Sequence, residues 1–369
     1  MTGETALFVV VVGARFLVPL LIPRFPLPAV LAALVLDAAD QSIFQAFGYD
    51  PPGYQGYDKA MDMYYLAIAY LSTMRNWASL PALQVAAFLY FYRLAGVVAF
   101  ELTQWRGLLL IFPNTFEYFF IAYEVVRLRR NPARYGMRAW ITVAAVIWIF
   151  VKLPQEYWIH IAQLDFTDTL AAYPWFGPLI AVALVAAALV VWFVIRPRLP
   201  APDWRWRVAA DPLPAGLATA AGRDRWIVAH GRFLSLATLE KVVLVGCLSV
   251  IYGRVLPDRQ STDGELFLGV AAFVCANAAI SLWAARAGRG RDSILAAFGV
   301  RVLINVGLVV LADWLLGRGD GGLNLGNALF FILLLSLITL LDDRYRPIQE
   351  ARTAGAGAAG APGAPATVS

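Results

Sequence analysis

Four aspartates lie in or beside two segments that otherwise have the apolar composition of membrane-spanning helices. They are Asp37, Asp40, Asp58 and Asp62. The first two are three residues apart and the last two are four apart, so each pair shares one face of a helix. A carboxylate at the centre of a membrane helix costs roughly 3 kcal/mol on insertion scales. The group therefore needs a cation, a partner base, protonation or a water-filled cavity, and it is our candidate functional site.

Clustered carboxylate oxygens support two kinds of chemistry. They are the ligands that Mg²⁺, Mn²⁺ and Ca²⁺ prefer, so all four aspartates are candidate metal ligands, with Mg²⁺ or Mn²⁺ as the cofactor to test. Carboxylates inside a membrane also form relays for protons or Na⁺. The residue types alone leave both kinds of chemistry open.

Further polar side chains lie inside the apolar segments that follow. Pro113 frees backbone carbonyls in the fifth segment, and Asn114 and Glu117 lie within a turn of it. In the sixth segment three ionisable residues follow one another at intervals of four. We take Asp62 and Glu117 as candidate catalytic residues, and the candidate substrate-binding residues are Arg93, Asn114, Lys152, Glu156 and His160.

The spacing of the aspartates, Asp-x2-Asp-x17-Asp-x3-Asp over 26 residues, is similar to that of the CDP-alcohol phosphotransferase family. In that family the four acids lie on two adjacent membrane helices and hold divalent metal ions. The resemblance implies that Asp37, Asp40 and Asp58 are metal ligands, and that Asp62 is a ligand or the base that deprotonates an alcohol. It is a resemblance of spacing only, since the Gly, Ala and Arg positions of the family's motif are absent here.

The elements that must position these residues are membrane helices. Hydrophobic residues make up 60% of the 369 positions and charged residues 15%, far from the composition of a soluble domain. Apolar runs of about twenty residues recur along the chain, as bilayer-spanning helices require. We predict an all-α, polytopic membrane helix bundle of about eleven transmembrane helices, at roughly 5–23, 27–47, 58–75, 81–101, 107–127, 139–160, 175–195, 233–253, 265–285, 293–316 and 323–342.

The net charge of +5 is a topology signal. Arginines crowd the segments 127–138, 196–232, 286–291 and 344–352, each two predicted helices from the next. The loops between them lean acidic, with Asp165, Asp168, Asp258, Asp263, Glu265 and Asp320. This alternation predicts a multi-pass protein of the cell membrane with its C-terminus in the cytoplasm, its N-terminus outside and the aspartates near the outer leaflet. It also argues against nucleic acid as a partner.

The same pattern divides the chain. We predict a seven-helix bundle with the acidic cluster at 1–195, a cytoplasmic linker rich in Arg, Pro and Trp at 196–232, a four-helix bundle at 233–345 and a disordered tail at 346–369. Two cysteines and two histidines give no support for a structural zinc or haem site, and the sequence identifies no cofactor beyond the possible Mg²⁺ or Mn²⁺.

Three classes of function remain open. An enzyme acting on a lipid or lipid-linked phosphate substrate would use the acids for metal or acid–base chemistry, and Arg93 and Lys152 to hold phosphate. A proton- or cation-coupled transporter would use the same acids as a relay. A membrane scaffold would pair these charges internally. The lipid bilayer is the partner common to all three, and the sequence does not specify an oligomeric state.

Overall fold

The computed structural model of the chain describes residues 3–48, 54–162, 164, 169–170, 172–198, 201–204, 206–231, 235–256, 262–316 and 325–359. All regular structure in these residues is helical, which confirms the predicted fold class. The connection between the second and third predicted helices lies partly outside the described residues, at 49–53, as do Asp165, Asp168, Asp258 and Asp320.

The N-terminal half forms a series of helices joined by short turns. Prolines and polar caps set several boundaries: Pro26 begins α2, and the Ser79 hydroxyl accepts a hydrogen bond from the Ala82 amide at the start of α4. The helices are α1 (Gly3–Leu17), α2 (Pro26–Ala46), α3 (Tyr54–Asn76), α4 (Leu80–Thr103), α5 (Gly107–Ile111), α6 (Thr115–Arg127) and α7 (Met137–Ile147).

Two of the predicted spans are irregular at their prolines. The span Gly107–Arg127 is interrupted at residues 112–114, which contain Pro113 and separate α5 from α6. The span Met137–Ile161 continues α7 through a π-helical turn, Trp148–Lys152, an α-helical turn, Leu153–Glu156, and a second π-helical turn, Tyr157–Ile161. Pro154 has no amide proton for a regular helix, and such π-turns are frequent at functional sites.

The C-terminal half is also helical. Thr262 caps the start of α11 in a reciprocal pair with Glu265, in which each side chain bonds the other residue's backbone amide. The helices are α8 (Phe176–Leu189), α9 (Ala220–His230), α10 (Leu236–Val255), α11 (Asp263–Arg286), α12 (Ile294–Leu316) and α13 (Leu325–Ala359).

Eight helices in the described residues are long and apolar enough to cross a bilayer, as expected of a multi-pass membrane protein. They are Pro26–Ala46, Leu80–Thr103, Gly107–Arg127, Met137–Ile161, Leu236–Val255, Asp263–Arg286, Ile294–Leu311 and Gly326–Ala354. A shorter apolar helix covers Ala6–Leu21. The total of eleven spans stays a prediction.

Helix α3 lies at the centre of the bundle. It packs against α2, α4, α10 and α13, and nearly every side chain from Ala60 to Met74 is buried. Protein surrounds α3 on all sides, so it carries polar and tyrosine side chains that a lipid-facing helix would not tolerate. Both halves of the chain therefore share one core.

The basic segments gather at one end of the bundle, which we call the basic end. There the backbone amide of Ala210 donates a hydrogen bond to the Arg24 carbonyl at 2.8 Å. The backbone amide of Asp203 likewise donates to the Arg129 carbonyl at 3.1 Å. Arg352 donates to the carbonyl of Trp77 at 3.3 Å. The predicted alternation of charge thus corresponds to a real grouping in space, while the orientation of that end in the membrane stays a prediction.

Helix α13 differs from expectation at its C-terminal end. It continues to Ala359, whereas the sequence predicts a disordered tail from 346. The side chain of Ile348 is fully buried, and Arg352 bonds to the carbonyls of Arg75 and Trp77. These contacts, together with helix-favouring alanines, extend the helix past the apolar run; residues 360–369 lie outside the described part of the chain.

Candidate functional site

The four aspartates meet around one arginine, Arg15 of α1. Its guanidinium donates to Asp37 and Asp40 of α2, and to Asp58 and Asp62 of α3 at 3.3 Å and 3.2 Å. Arg15, Asp40 and Asp62 are buried, while Asp37 and Asp58 are partly exposed. The structure therefore brings together all four predicted metal ligands, and it places a permanent cation among them.

Residues beside Asp58 complete this site. The Nζ atom of Lys59 lies 2.7 Å from Asp58 and 3.9 Å from Asp62. The Arg15 guanidinium lies 5.6 Å from the centre of the Tyr57 ring, within range of a cation–π contact. We call Arg15, Lys59 and the four aspartates the Arg15 centre.

Local structure explains how the Arg15 centre forms. The tight turn after α1 makes α1 and α2 antiparallel neighbours, so the last turn of α1 faces the middle of α2. The three-residue and four-residue spacings then aim each aspartate pair at Arg15. A guanidinium has five donors in a planar fork, which suits it to several carboxylates at once.

Formal charges do not balance within the Arg15 centre. Four carboxylates face one guanidinium and one ammonium, which leaves two negative charges if all are ionised. Oxygen atoms of Asp37, Asp58 and Asp62 lie within 4.8 Å of one another, close enough to share a cation. Protons, monovalent cations or one divalent cation would restore neutrality.

A second polar group surrounds Glu117 of α6. The Tyr65 hydroxyl of α3 donates to one carboxylate oxygen of Glu117, and the side-chain amide of Asn114 donates to the other at 3.0 Å. The ammonium of Lys152 lies 3.6 Å from the same carboxylate and 4.2 Å from the centre of the Tyr118 ring. Asp62 is close enough to Glu117 for electrostatic interaction, so this group adjoins the Arg15 centre.

The interruption between α5 and α6 is bounded by a second ion pair. Arg93 of α4 donates to the Phe112 carbonyl at 2.8 Å and lies 4.0 Å from Glu156. Glu156 accepts a hydrogen bond from the backbone amide of Asn114 at 3.0 Å, and its other oxygen lies 3.0 Å from His160. An acid thus sits at the N-terminus of α6, where the helix dipole favours it, and a base at the C-terminal end of α5.

Three buried atoms beside this interruption have no hydrogen-bond partner among the described residues. They are Nε of Arg93, Oδ1 of Asn114 and Oγ1 of Thr115. All three residues are more than nine-tenths buried. An unpaired buried polar atom costs about 1–3 kcal/mol, so a bound polar group is favoured here. The contacts described above place all five predicted substrate-binding residues around this interruption.

A third ionic group lies nearer the basic end. Lys241 of α10 binds Asp342 at 2.8 Å and also Asp343, and Arg301 of α12 binds Asp343 at 2.7 Å. Arg346 joins Asp342 to Glu240, which also accepts from Tyr70 of α3. We call this group the C-terminal ion network; its members are Glu240, Lys241, Arg301, Asp342, Asp343 and Arg346.

The sequence pattern did not single out Arg15, the central cation of the first site, or most of the C-terminal ion network. Arg15 is a lone arginine in an apolar run, and such a residue is itself a signal for a buried carboxylate partner. Asp342 and Asp343 fall at the predicted end of the last apolar run, where charged residues are normally assigned to the membrane–water interface. A neutral contact lies between α11 and α12, where Asn277 donates a hydrogen bond of 2.6 Å to Asn305.

Comparisons of the chain with protein-family models, with curated proteins and with solved structures find no match. The chain has helices apolar enough for a membrane and carries a clustered acidic site.

Proposed function

We propose that the protein is a proton- or cation-coupled membrane transporter, with the Arg15 centre as its coupling site and the α5–α6 interruption as its solute site. The observation that carries the proposal is the interrupted helix itself, with a buried charged residue at each broken end. Discontinuous membrane helices of this kind form solute and ion sites in many transporters.

The solute site has groups for an anion. Arg93 and Lys152 both lie beside the interruption, and each is now paired with a glutamate. An anionic solute can replace a glutamate as the partner of either base if the displaced carboxylate takes up a proton, because an unpaired buried charge is costly. The amides at the start of α6 add further donors for such a solute.

The coupling site is connected to the solute site through α3. Asp62 and Tyr65 are three residues apart on one face of that helix, and Tyr65 donates to Glu117. A proton or cation that neutralises part of the Arg15 centre weakens the hold of the aspartates on Arg15. The same positive charge also attracts the Glu117 carboxylate, and this attraction weakens the ion pair between Glu117 and Lys152. Binding at one site thereby changes the affinity of the other.

A metal-dependent enzyme acting on a lipid-linked phosphate is the second candidate. Its support is the proximity of the oxygens of Asp37, Asp58 and Asp62, whose two excess negative charges match one Mg²⁺ or Mn²⁺. The spacing shared with CDP-alcohol phosphotransferases favours the same interpretation, with Asp62 or Glu117 as the base. The Arg15 guanidinium counts against it, because it occupies the space among the carboxylates where a metal ion would bind.

Liposomes that contain the purified protein and a trapped dye, sensitive either to pH or to Na⁺, test the transporter. We expect small organic carboxylates or phosphates, added outside under a pH or Na⁺ gradient, to drive a proton or cation flux. Asp62→Asn and Arg93→Gln should lower that flux by at least tenfold. Asp203→Asn, which removes an acid at the basic end, is the matched control and should transport normally.

The enzyme gives a different outcome in two measurements. Millimolar Mn²⁺ or Mg²⁺ would raise the thermal unfolding temperature of the wild type but not of Asp37→Asn, and a lipid phosphate would turn over. That result without any solute-driven flux would refute the transporter. Normal flux in both Asp62→Asn and Arg93→Gln would refute the assignment of these sites.

A further inference from the structure

A separate cavity of about 150 Å³ lies at the basic end, between α9, α11, α12 and α13. Five arginines from four parts of the chain line it: Arg223, Arg289, Arg291, Arg301 and Arg344. Its volume is below the range of about 300–1,000 Å³ that is usual for sites of drug-sized ligands, so it suits a single small group.

The acids near the cavity do not balance these arginines. Asp343 is already held by Lys241 and Arg301, and Asp224 accepts a hydrogen bond from the Gly290 amide at 2.9 Å. Asp292 lies 3.5 Å from Arg223, with a side chain that is 72% exposed. Three acids against five arginines leave an excess of two positive charges before Lys241 is counted.

Several arginines are fixed in place. Arg223 is buried and donates to the carbonyls of Leu217 and Ala218, each at 3.1 Å. Burial lowers the pKa of Arg223, and the neighbouring charge of Arg344 lowers it further. Nη1 of Arg301 is buried and has no hydrogen-bond partner among the described residues. A bound anion would relieve the repulsion and satisfy this donor.

Membrane topology alone does not account for this arrangement. The positive-inside tendency requires arginines at the cytoplasmic end, and exposed ones such as Arg138 satisfy it without any cavity. It does not require arginines of α9, the α11–α12 loop, α12 and α13 to meet around one space. Arg289 and Arg291 pair with no carboxylate among the described residues, although Arg289 contacts the Trp283 ring at 5.0 Å.

The wall of the cavity toward the membrane is apolar. Ile280, Ala284, Val300 and Ile304 form it, and α12 exposes apolar side chains such as Leu303 on its outer face. A phospholipid could place its phosphate among the arginines and its chains along α11 and α12. Basic pockets between membrane helices at the cytoplasmic side bind anionic headgroups in this way.

We propose that this cavity binds the phosphate group of an anionic ligand, supplied by a phospholipid headgroup or by a free phosphate ester. The guanidinium groups of Arg289, Arg291 and Arg301 provide the hydrogen bonds. Arg223 and Arg344 add positive charge, which attracts the anion. The site is distinct from the Arg15 centre and does not depend on the transport function.

The test uses the full chain in phosphatidylcholine nanodiscs titrated with phosphatidylglycerol, with bound lipid counted by native mass spectrometry. The wild type should retain one phosphatidylglycerol molecule above the phosphatidylcholine background. The double substitution Arg289→Gln and Arg291→Gln should weaken retention by about tenfold, since each basic residue near an anionic surface contributes substantially. Both side chains are exposed, so the fold should persist.

Arg138→Gln is the matched control, because it removes an exposed arginine at the same end but outside the cavity. It should retain the lipid as the wild type does. Inorganic phosphate and glycerol phosphate, added as competitors, identify the source of the anion. Retention that they leave unchanged indicates a lipid site, and displacement by them indicates a site for soluble phosphate. Equal retention by the double variant, Arg138→Gln and the wild type would overturn the proposal.

Discussion

The Arg15 centre and the C-terminal ion network each hold six ionisable side chains, but their charges are distributed differently. In the network three bases, Lys241, Arg301 and Arg346, face three acids. In the Arg15 centre two bases face four acids. One group is neutral as it stands, and the other becomes neutral only with protons or a cation.

This difference separates structural ionic contacts from functional ones. A network with equal numbers of acids and bases fixes helices against one another without a mobile charge. The C-terminal network does this for α10, α12 and α13, and Tyr70 ties it to α3. A centre with excess negative charge has reduced stability but binds a mobile charge, which is the property that coupling requires.

Removing the shared cation should give the largest effect. Arg15→Gln leaves four carboxylates with Lys59 alone, so we expect a loss of about 3–5 kcal/mol in the free energy of unfolding. Arg301→Gln is the counterpart in the network and should cost only about 1–2 kcal/mol, because Asp343 keeps Lys241. Denaturant unfolding in detergent measures both. Equal losses would show that the two groups do not differ.

Removing one acid should change stability in opposite directions. Asp342→Asn leaves Lys241 and Arg346 close together with too few acids, which we expect to cost about 3 kcal/mol. Asp37→Asn removes a carboxylate that lies close to those of Asp58 and Asp62. This reduces the repulsion among the aspartates and should raise stability by about 1 kcal/mol, at the expense of function. The unfolding midpoints of the two variants, measured against the wild type, check the signs. A destabilised Asp37→Asn would refute an excess of negative charge.

Much of this arrangement was predictable from local patterns. Apolar runs located the helices, the aspartate spacings gave the faces that meet, and Pro113 marked the interruption between α5 and α6. Charge alternation predicted which loops gather at one end. Each of these features depends on residues close together in the sequence, where helix geometry alone relates spacing to position.

The remainder depends on contacts between distant segments. Arg15 meets Asp62, 47 positions later, and Lys241 meets Asp343 after 102. Hydropathy cannot specify which helices become neighbours, so the partners of lone charges were not identified. The end of α13 was misplaced for the same reason, because Arg352 finds its acceptors at Arg75 and Trp77, in the N-terminal half.

Hydrogen bonds between uncharged side chains of the C-terminal helices should contribute less to the free energy of unfolding than the ion pairs do. Asn277 donates to Asn305 at 2.6 Å, and Asn305 donates to Ser336 at 2.8 Å, linking α11, α12 and α13. Hydrogen bonds between membrane helices contribute about 0.6 to 2 kcal/mol, so Asn305→Ala should cost about 1 kcal/mol. A loss as large as that of Asp342→Asn in the same unfolding assay would mean that helix packing, and not charge balance, determines the stability of this region.

The orientation of both groups in the membrane can be tested without changing stability. Thr103 lies at the end opposite the basic end, and Arg138 lies near the basic end; both are exposed. In a variant that lacks Cys247 and Cys275, we expect a membrane-impermeant thiol reagent added to intact cells to label Thr103→Cys but not Arg138→Cys, because basic loops face the cytoplasm. Broken cells should allow labelling of both. The reverse pattern would place the Arg15 centre toward the cytoplasm, where a phosphotransferase-like site would have access to cytoplasmic substrates.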